Sequence, residues 1–369
     1  MTLVVLVFLA ATLLLLLLPF LPGLREIRAR RDAAALPVSD TTVDVRHFAH
    51  GFRAFLEREL GEPLERVRAS GMRRSGWIEQ QGSYSVLAAG EALELFDDER
   101  ERGALDRIIA AIGDVEVPAG LSCTREVYAG GTFRAGAGAE VRAALAEVDV
   151  VLERGARVLR WVHAGRDLRV ESGAALSGRA SADRSIRVAP GCTFERMHAP
   201  LIRFGGGAAP ALPRAGDVVG APSFDVPLTG WRPETVPAPH ELAAGRLLVD
   251  GDLEIPPRSR VGCDLVVRGR LTLGAGVRLE GSAKGHGAVR LAPGVRVSGS
   301  VIGQGDVVLE DNVTVDGPVI AEERLTIGAR CTIGTAAEPS TVRAGAITVR
   351  GGSVVHGTAW ASGRGEVSA

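Results

Sequence analysis

From Leu253 onward, aliphatic residues return at intervals of 18: Leu253, Leu271, Val289, Val307 and Leu325. Two positions after each lies Ile255, Leu273, Leu291, Leu309 or Ile327. A second pair follows six positions on, as Ser259 and Val261, Val277 and Leu279, Val295 and Val297, Val313 and Val315, Cys331 and Ile333. A smaller third pair recurs in places, as Leu265 and Val267 or Val319 and Ala321. One further turn fits as Ile347, Val349, Ser353 and Val355, displaced by an insertion around "TAAEPS". A pair two apart points one way from a strand, and the step of six starts the next strand after a corner. Three such sides close a triangular rung of 18 residues, and rungs stacked about 4.8 Å apart bury their apolar pairs in one column. The stretch "VVLEDNVTVDG", Val307 to Gly317, therefore reads as two consecutive sides of a rung rather than as a hairpin, with hydrogen bonds running to the turns at Val289 and Leu325. Gly276, Gly294 and Asn312 sit where the corners need positive φ.

The same period runs through an earlier stretch, where Val115, Phe133, Val150, Leu168 and Ile186 open successive turns with partners Val117, Ala135, Leu152, Val170 and Val188. Gly155, Gly173 and Gly191 recur before Ala156, Ala174 and Cys192. The expected class is all-β: a β-helix, or β-solenoid, in two blocks at 114–204 and 242–360, with a tail at 361–369. A Gly/Pro-rich linker or surface loop at 205–241 divides them. The predicted inward column of the second block is Leu271, Leu273, Val277, Leu279, Val289, Leu291, Val295, Val297, Val307, Leu309, Val313, Val315, Leu325 and Ile327.

The chain opens with "MTLVVLVFLAATLLLLLLPFLPGL", about twenty uncharged residues, long enough for a transmembrane helix over 1–24. No basic residue precedes this run and no small-residue cleavage site follows it, so an anchor is expected rather than a cleaved signal. Arg25, Arg28, Arg30 and Arg31 come next and place the bulk of the chain in the cytoplasm, as a single-pass protein of the inner membrane. The same arginines can touch anionic lipid. Residues 25–113 form a membrane-proximal region in which Phe48, Phe52, Phe55, Leu56 and Leu60 recur at helical spacing. Ala104 to Ile112 reads as a second helix or a strand. His47 and His50 lie three apart on the first helix, but no carboxylate or cysteine joins them, so no metal site is expected.

Forty-three basic residues nearly balance 44 acidic ones, which disfavours nucleic acid as a partner. Glycine is abundant at 47 residues and aromatics are scarce at 4%, as stacked aliphatic rungs with tight corners require. Cys192 and Cys331 occupy one inward slot, Cys123 another, and Cys263 follows a corner; without a C-x-x-C pair they imply neither zinc nor a disulfide framework. No phosphate cradle, nucleophile elbow or paired-carboxylate motif appears, so no catalytic, cofactor-binding or metal-binding residue is expected and the protein does not read as an enzyme.

The segments "LLVDGDLEIPPRSRVGCDLVVRGRLTLGAGVRLEGS" and "GQGDVVLEDNVTVDGPVIAEERLTIG", within Leu247 to Gly357, resemble bactofilins, with a weaker echo from Val115 to Phe204. The resemblance implies a right-handed β-helix that polymerises end to end into nonpolar filaments without nucleotide or metal, sometimes at a membrane. The partners it implies are further copies of this chain and unidentified envelope proteins, with lipid held through the N-terminal span. The chain departs from the small bactofilin pattern in its anchor, its long membrane-proximal region and its two blocks. A second resemblance is to hexapeptide-repeat acyltransferases, left-handed β-helices, through "IGARCTIG" at Ile327 to Gly334. Those enzymes need a histidine base, whereas His163, His198, His286 and His356 fall at four different rung positions and read as surface or corner residues. A membrane scaffold that does not polymerise is the third expectation.

Overall fold

A computed structural model describes residues 46–205 and 245–368, the short strands Phe224–Asp225 and His240–Ala243, and the isolated residues Phe8, Thr12, Leu13, Leu16 and Leu18. Beyond those five residues, the expected membrane span, Arg25, Arg28, Arg30 and Arg31 lie outside the described residues, as does most of the linker. Among the described residues no helix is long and apolar enough to cross a membrane. Met1–Asp44 and Val45–Ala369 are separate compact units.

The second unit is a β-solenoid; the fold has about 13 turns. In the later block each rung has three short strands, for example Leu271–Leu273, Arg278–Leu279 and Ala283–Gly285. Each pairs in parallel with its equivalent 18 residues on. Val307 stands between Val289 and Leu325, so the two halves of "VVLEDNVTVDG" bond to neighbouring rungs and not to each other. The fourteen predicted column residues are each 1% exposed or less. Apolar contact along the column and parallel ladders around it satisfy the side chains and the backbone together.

One corner of every rung is left-handed. Its positions are Arg258 (φ 61°), Gly276 (70°), Gly294 (73°), Asn312 (61°), Arg330 (56°) and Gly352 (84°). Glycine and asparagine enter this region at little cost, whereas arginine does so only because the rungs above and below dictate the bend.

In the earlier block the ladder Val115, Phe133, Val150, Leu168 and Ile186 forms one side in parallel register. Its other two sides merge into single bent strands, Ser122–Ala129, Glu140–Ala146, Arg157–Ala164 and Ala175–Ala182. A register irregularity marks the bend, as between Val158 and Trp161.

Two expected boundaries shift, and one open alternative is settled. The first block begins before residue 114: Gly82–Leu87 pairs with Ile108–Ala111, which pairs with Ser122–Ala129. The 18-residue period misses this turn because Tyr84 and Ile108, which face each other, are further apart than one standard rung. Of the two expected readings of Ala104 to Ile112, the structure has the strand, as Ala104–Leu105 and Ile108–Ala111. The expected tail from 361 belongs to strand Val354–Ser368, which wraps the whole last rung.

The expected amphipathic helix is present as α1 (His47–Phe55), a π-helical turn at Leu56–Leu60, and α2 (Gly61–Ser70). Its buried stripe, Ala49, Phe52, Leu56, Leu60 and Val67, packs on an outer face of the first block against Val86, Ile108, Ala110, Ala143, Leu145 and Trp161. Arg53 donates from Nε and Nη2 to the two carboxylate oxygens of Glu147, at 2.9 and 2.8 Å, fixing the helix along the solenoid.

Candidate functional site

The ends of the solenoid differ. The last rungs of the two blocks meet. Thr193–Phe204 of the first pairs antiparallel with Val354–Ser368 of the second, whereas rung-to-rung pairing inside each block is parallel. Bringing two C-terminal ends together reverses the strand direction, and only antiparallel ladders can then form.

All three sides take part: Phe194 faces Gly365, Met197 faces Ala359, and Ile202 faces Val355. Backbone bonds close the corners. Gly191 N donates to Val367 O at 2.7 Å, Val367 N to Cys192 O at 3.0 Å, Phe204 N to Ser353 O at 3.0 Å and Gly352 N to Phe204 O at 2.7 Å. Phe194 and Phe204 fill the column at the joint, their ring centroids 5.9 Å apart. The apolar column is therefore continuous across the joint, and both clusters of rungs form one core.

The N-terminal end of the first block is closed by its own chain. Leu93 and Leu95 pack against the end of the column, and α3 (Asp97–Arg102) follows them. The closure is pinned by a buried ion pair, Arg107 Nε to Glu99 Oε1 at 2.9 Å. Arg107 Nη2 also donates to Glu94 O at 2.7 Å, and Nη1 donates to Ser85 Oγ at 2.6 Å. Burial holds the Arg107 guanidinium below its ordinary pKa.

The N-terminal end of the second block is different. Arg246–Val249 pairs antiparallel with His240–Ala243, and Ser259–Val261 pairs with Phe224–Asp225. The remaining side, Leu253–Ile255, pairs with Leu271–Leu273 and with no other strand among the described residues. Leu253 N donates to Arg270 O at 2.8 Å, so strand alternation turns the N–H and C=O of Glu254 to the open edge.

No protein family, no curated protein and no solved structure matches this chain. Geometry alone must therefore rank its surfaces.

Among the described side chains the histidines do not gather into one cleft. His286 is exposed. His198 Nδ1 lies 2.9 Å from Thr358 Oγ1, and His356 Nδ1 donates to Pro200 O at 3.0 Å, so both bridge the joint. His47 and His50 are exposed on α1. Among the described residues no group of three or more His, Cys, Asp and Glu is placed to hold a metal. Cys192 and Cys331 do share a slot, and each thiol donates to the carbonyl of the preceding rung, Glu171 O and Glu310 O, at 3.0 Å. Burial pushes the Cys331 thiol up to about 11 and the Cys123 thiol up to about 12, leaving both inert.

His163 corrects a surface assignment. It is 1% exposed, with Nδ1 2.9 Å from Ser181 Oγ and Nε2 3.9 Å from the Asp183 carboxylate. Burial lowers its pKa to about 4 against the opposing pull of Asp183, with Arg53 and Arg46 adding to the fall. A folded value below the free value means that protons favour the unfolded chain. Stability is complete above about pH 6.5 and is lost as pH falls toward 4, by up to ~3 kcal/mol. Denaturant unfolding between pH 7 and pH 4 is expected to show this slope, and His163→Gln is expected to flatten it; an equal slope in both proteins would refute the assignment.

Four outward residues missed by sequence reading line up across the joint. Arg179 pairs with Arg196, Arg196 with Trp360, and Trp360 with Arg343, on consecutive strands. The first step follows the rung period, but the joint that brings Trp360 beside Arg196 has no periodic signal.

Proposed function

We propose that this chain is a bactofilin-like structural protein. It is held at the inner (cytoplasmic) membrane by its N-terminal apolar segment, with the bulk in the cytoplasm. It self-assembles through its β-helix without nucleotide and scaffolds cell-envelope or cell-shape machinery. The joint carries this reading, because it is an end-to-end stack of two solenoids made by strand pairing and a shared apolar column. What a polymer of short solenoids would build between copies, this chain builds within one copy.

That arrangement changes the expected assembly. Both C-terminal ends are consumed in the joint, and the N-terminal end of the first block is closed by Leu93, Leu95 and α3. Among the described residues no strand pairs with the outer side of Leu253–Ile255, and the proposed second copy docks there. Joining like ends by a two-fold axis closes after two copies, whereas an open filament needs two unlike or two free ends. The proposed product is a paired rod of two chains, and the envelope machinery attaches along its flanks.

The test is sedimentation and negative-stain electron microscopy of the full chain in mild detergent without nucleotide. Rods of two chains are expected, and Glu254→Pro, which removes the open-edge N–H, is expected to return single chains. A monomer that persists at high concentration would favour the non-polymerising scaffold, and a compact trimer would favour the acyltransferase alternative. Fractionation of the same material reads the anchor: the full chain is expected with membranes, and residues 46–369 without them.

A further inference from the structure

On the flank that crosses the joint, α1 stops short and leaves a groove of about 390 Å³. Phe48 and Trp161 form one wall, the bends at Leu159, Ser177 and Gly178 form the other, and Trp360 continues the floor into the second block. Three arginines line it, Arg160, Arg179 and Arg196, and Arg343 lies on the next strand beyond Trp360. The Arg179 guanidinium stacks 4.5 Å from the Phe48 ring centroid. Arg196 and Arg343 sandwich Trp360, at 4.8 and 4.4 Å.

What sets this groove apart is that its arginines are held against aromatic rings beside a cavity. Elsewhere along the rungs many arginines are ion-paired across strands, as Arg270 with Asp252, Arg290 with Glu310 and Arg134 with Glu153, and others, such as Arg278 and Arg296, stand exposed to solvent. Among the described residues Arg160, Arg179, Arg196 and Arg343 have no ion pair. The carboxylate that lines the groove is that of Glu195, which is exposed. Arg179 and Arg196 are direct neighbours on adjacent strands, and like charges at that spacing destabilise a sheet. Burial, and then the charge of Arg179, push the Arg196 pKa down. Its Nε is sealed from solvent and has no hydrogen-bond partner among the described residues.

Aromatic contact holds the Arg179, Arg196 and Arg343 guanidiniums in place without consuming their hydrogen-bonding capacity. The arrangement is a set of fixed, unpaired forks beside a cavity of ligand size. We propose that this groove binds an anionic phosphate group, either of a soluble phosphate compound or of a lipid headgroup. Arg179 and Arg196 are its primary ligands, and Arg160 and Arg343 contact the rest of the molecule. Because the floor spans both blocks, the bound anion bridges the joint and ties ligand occupancy to its closure.

The full chain in neutral detergent is titrated calorimetrically with two probes, pyrophosphate and dihexanoylphosphatidylglycerol. Saturable binding of at least one is expected, weakened about tenfold or more by the double change Arg179→Gln and Arg196→Gln. Binding of pyrophosphate assigns the site to soluble phosphates; binding of the short-chain lipid alone assigns it to headgroups. The same double variant without ligand is expected to be at least as heat-stable as the native chain, because a repulsive pair has been removed. Arg278→Gln, on an exposed strand of the second block, is expected to leave binding unchanged. Absence of binding by both probes would overturn the proposal, as would equal binding by the native chain and the double variant.

Discussion

Replacing Val313 with aspartate is expected to unfold the second block well below the melting temperature of the native chain. Val313 is fully buried. Its slot is continued by Val295 and Cys331 on the neighbouring rungs, where Thr314 N donates to Val295 O and Thr332 N to Val313 O. A carboxylate placed there meets no cation and no donor, so it either stays charged at a cost of several kcal/mol or takes up a proton and still loses the valine packing. Rungs are stabilised mainly by their immediate neighbours, so the damage spreads up and down the column from one position. A loss of ~4 kcal/mol corresponds to about 10 °C in a unit of this size. Thr314→Asp, one residue on and facing outward, is the control and is expected to shift the transition little. Equal melting of the two variants, followed by circular dichroism, would mean that the inward and outward slots are misassigned.

Gly365→Leu is expected to open the joint while leaving each block folded. A Cβ at Gly365 would stand 2.4 Å from two atoms of the Phe194 ring. That ring is buried in the column beside Phe204 and has no free side to turn toward. Overpacking of this kind costs about 1–3 kcal/mol, and the joint must absorb it because the rungs on both sides are held by their own ladders. The amides of Gly191, Phe204, Gly352 and Val367, which donate across the joint, report the effect directly. Their hydrogen exchange is expected to speed up ~10-fold to 100-fold, while that of Leu271 and Val289, deep in the second block, stays unchanged. Glu366→Gln, adjacent and exposed, serves as the comparison. Uniform loss of protection throughout both blocks would show that they unfold as one cooperative unit and that the joint is not the weak point.

Most of the column could be read directly from the chain. A residue in a solenoid rung faces its own equivalent one turn later, so the pairing partner of Val289 or Val307 is given by counting. Burial of Leu271, Val277, Val295 and Ile327 follows from the same count. Where a turn departs from the standard length, counting fails: Tyr84 pairs with Ile108, and the first block was expected to start only after both. Corner chemistry was legible at Gly276, Gly294 and Asn312 but not at Arg258 or Arg330, whose left-handed conformation is imposed by the rungs above and below against their own preference. The position of His163 was also hidden. Its burial comes from the helical segment packed on the outer face of the first block, and the rung pattern does not record that outer layer.

The period, the inward column and the division into two blocks were therefore determined by the sequence itself, because parallel rungs repeat one local rule at a fixed interval. The tertiary structure decided how the blocks end. Thr193–Phe204 and Val354–Ser368 meet through antiparallel pairing between distant segments, and no interval in the chain links Arg196 to Trp360 or Phe194 to Gly365. Pairing across that joint depends on which rung terminates each block and which way it faces. Those are properties of the folded ends, and they set both the number of surfaces left for a partner and the place where the unpaired arginines gather.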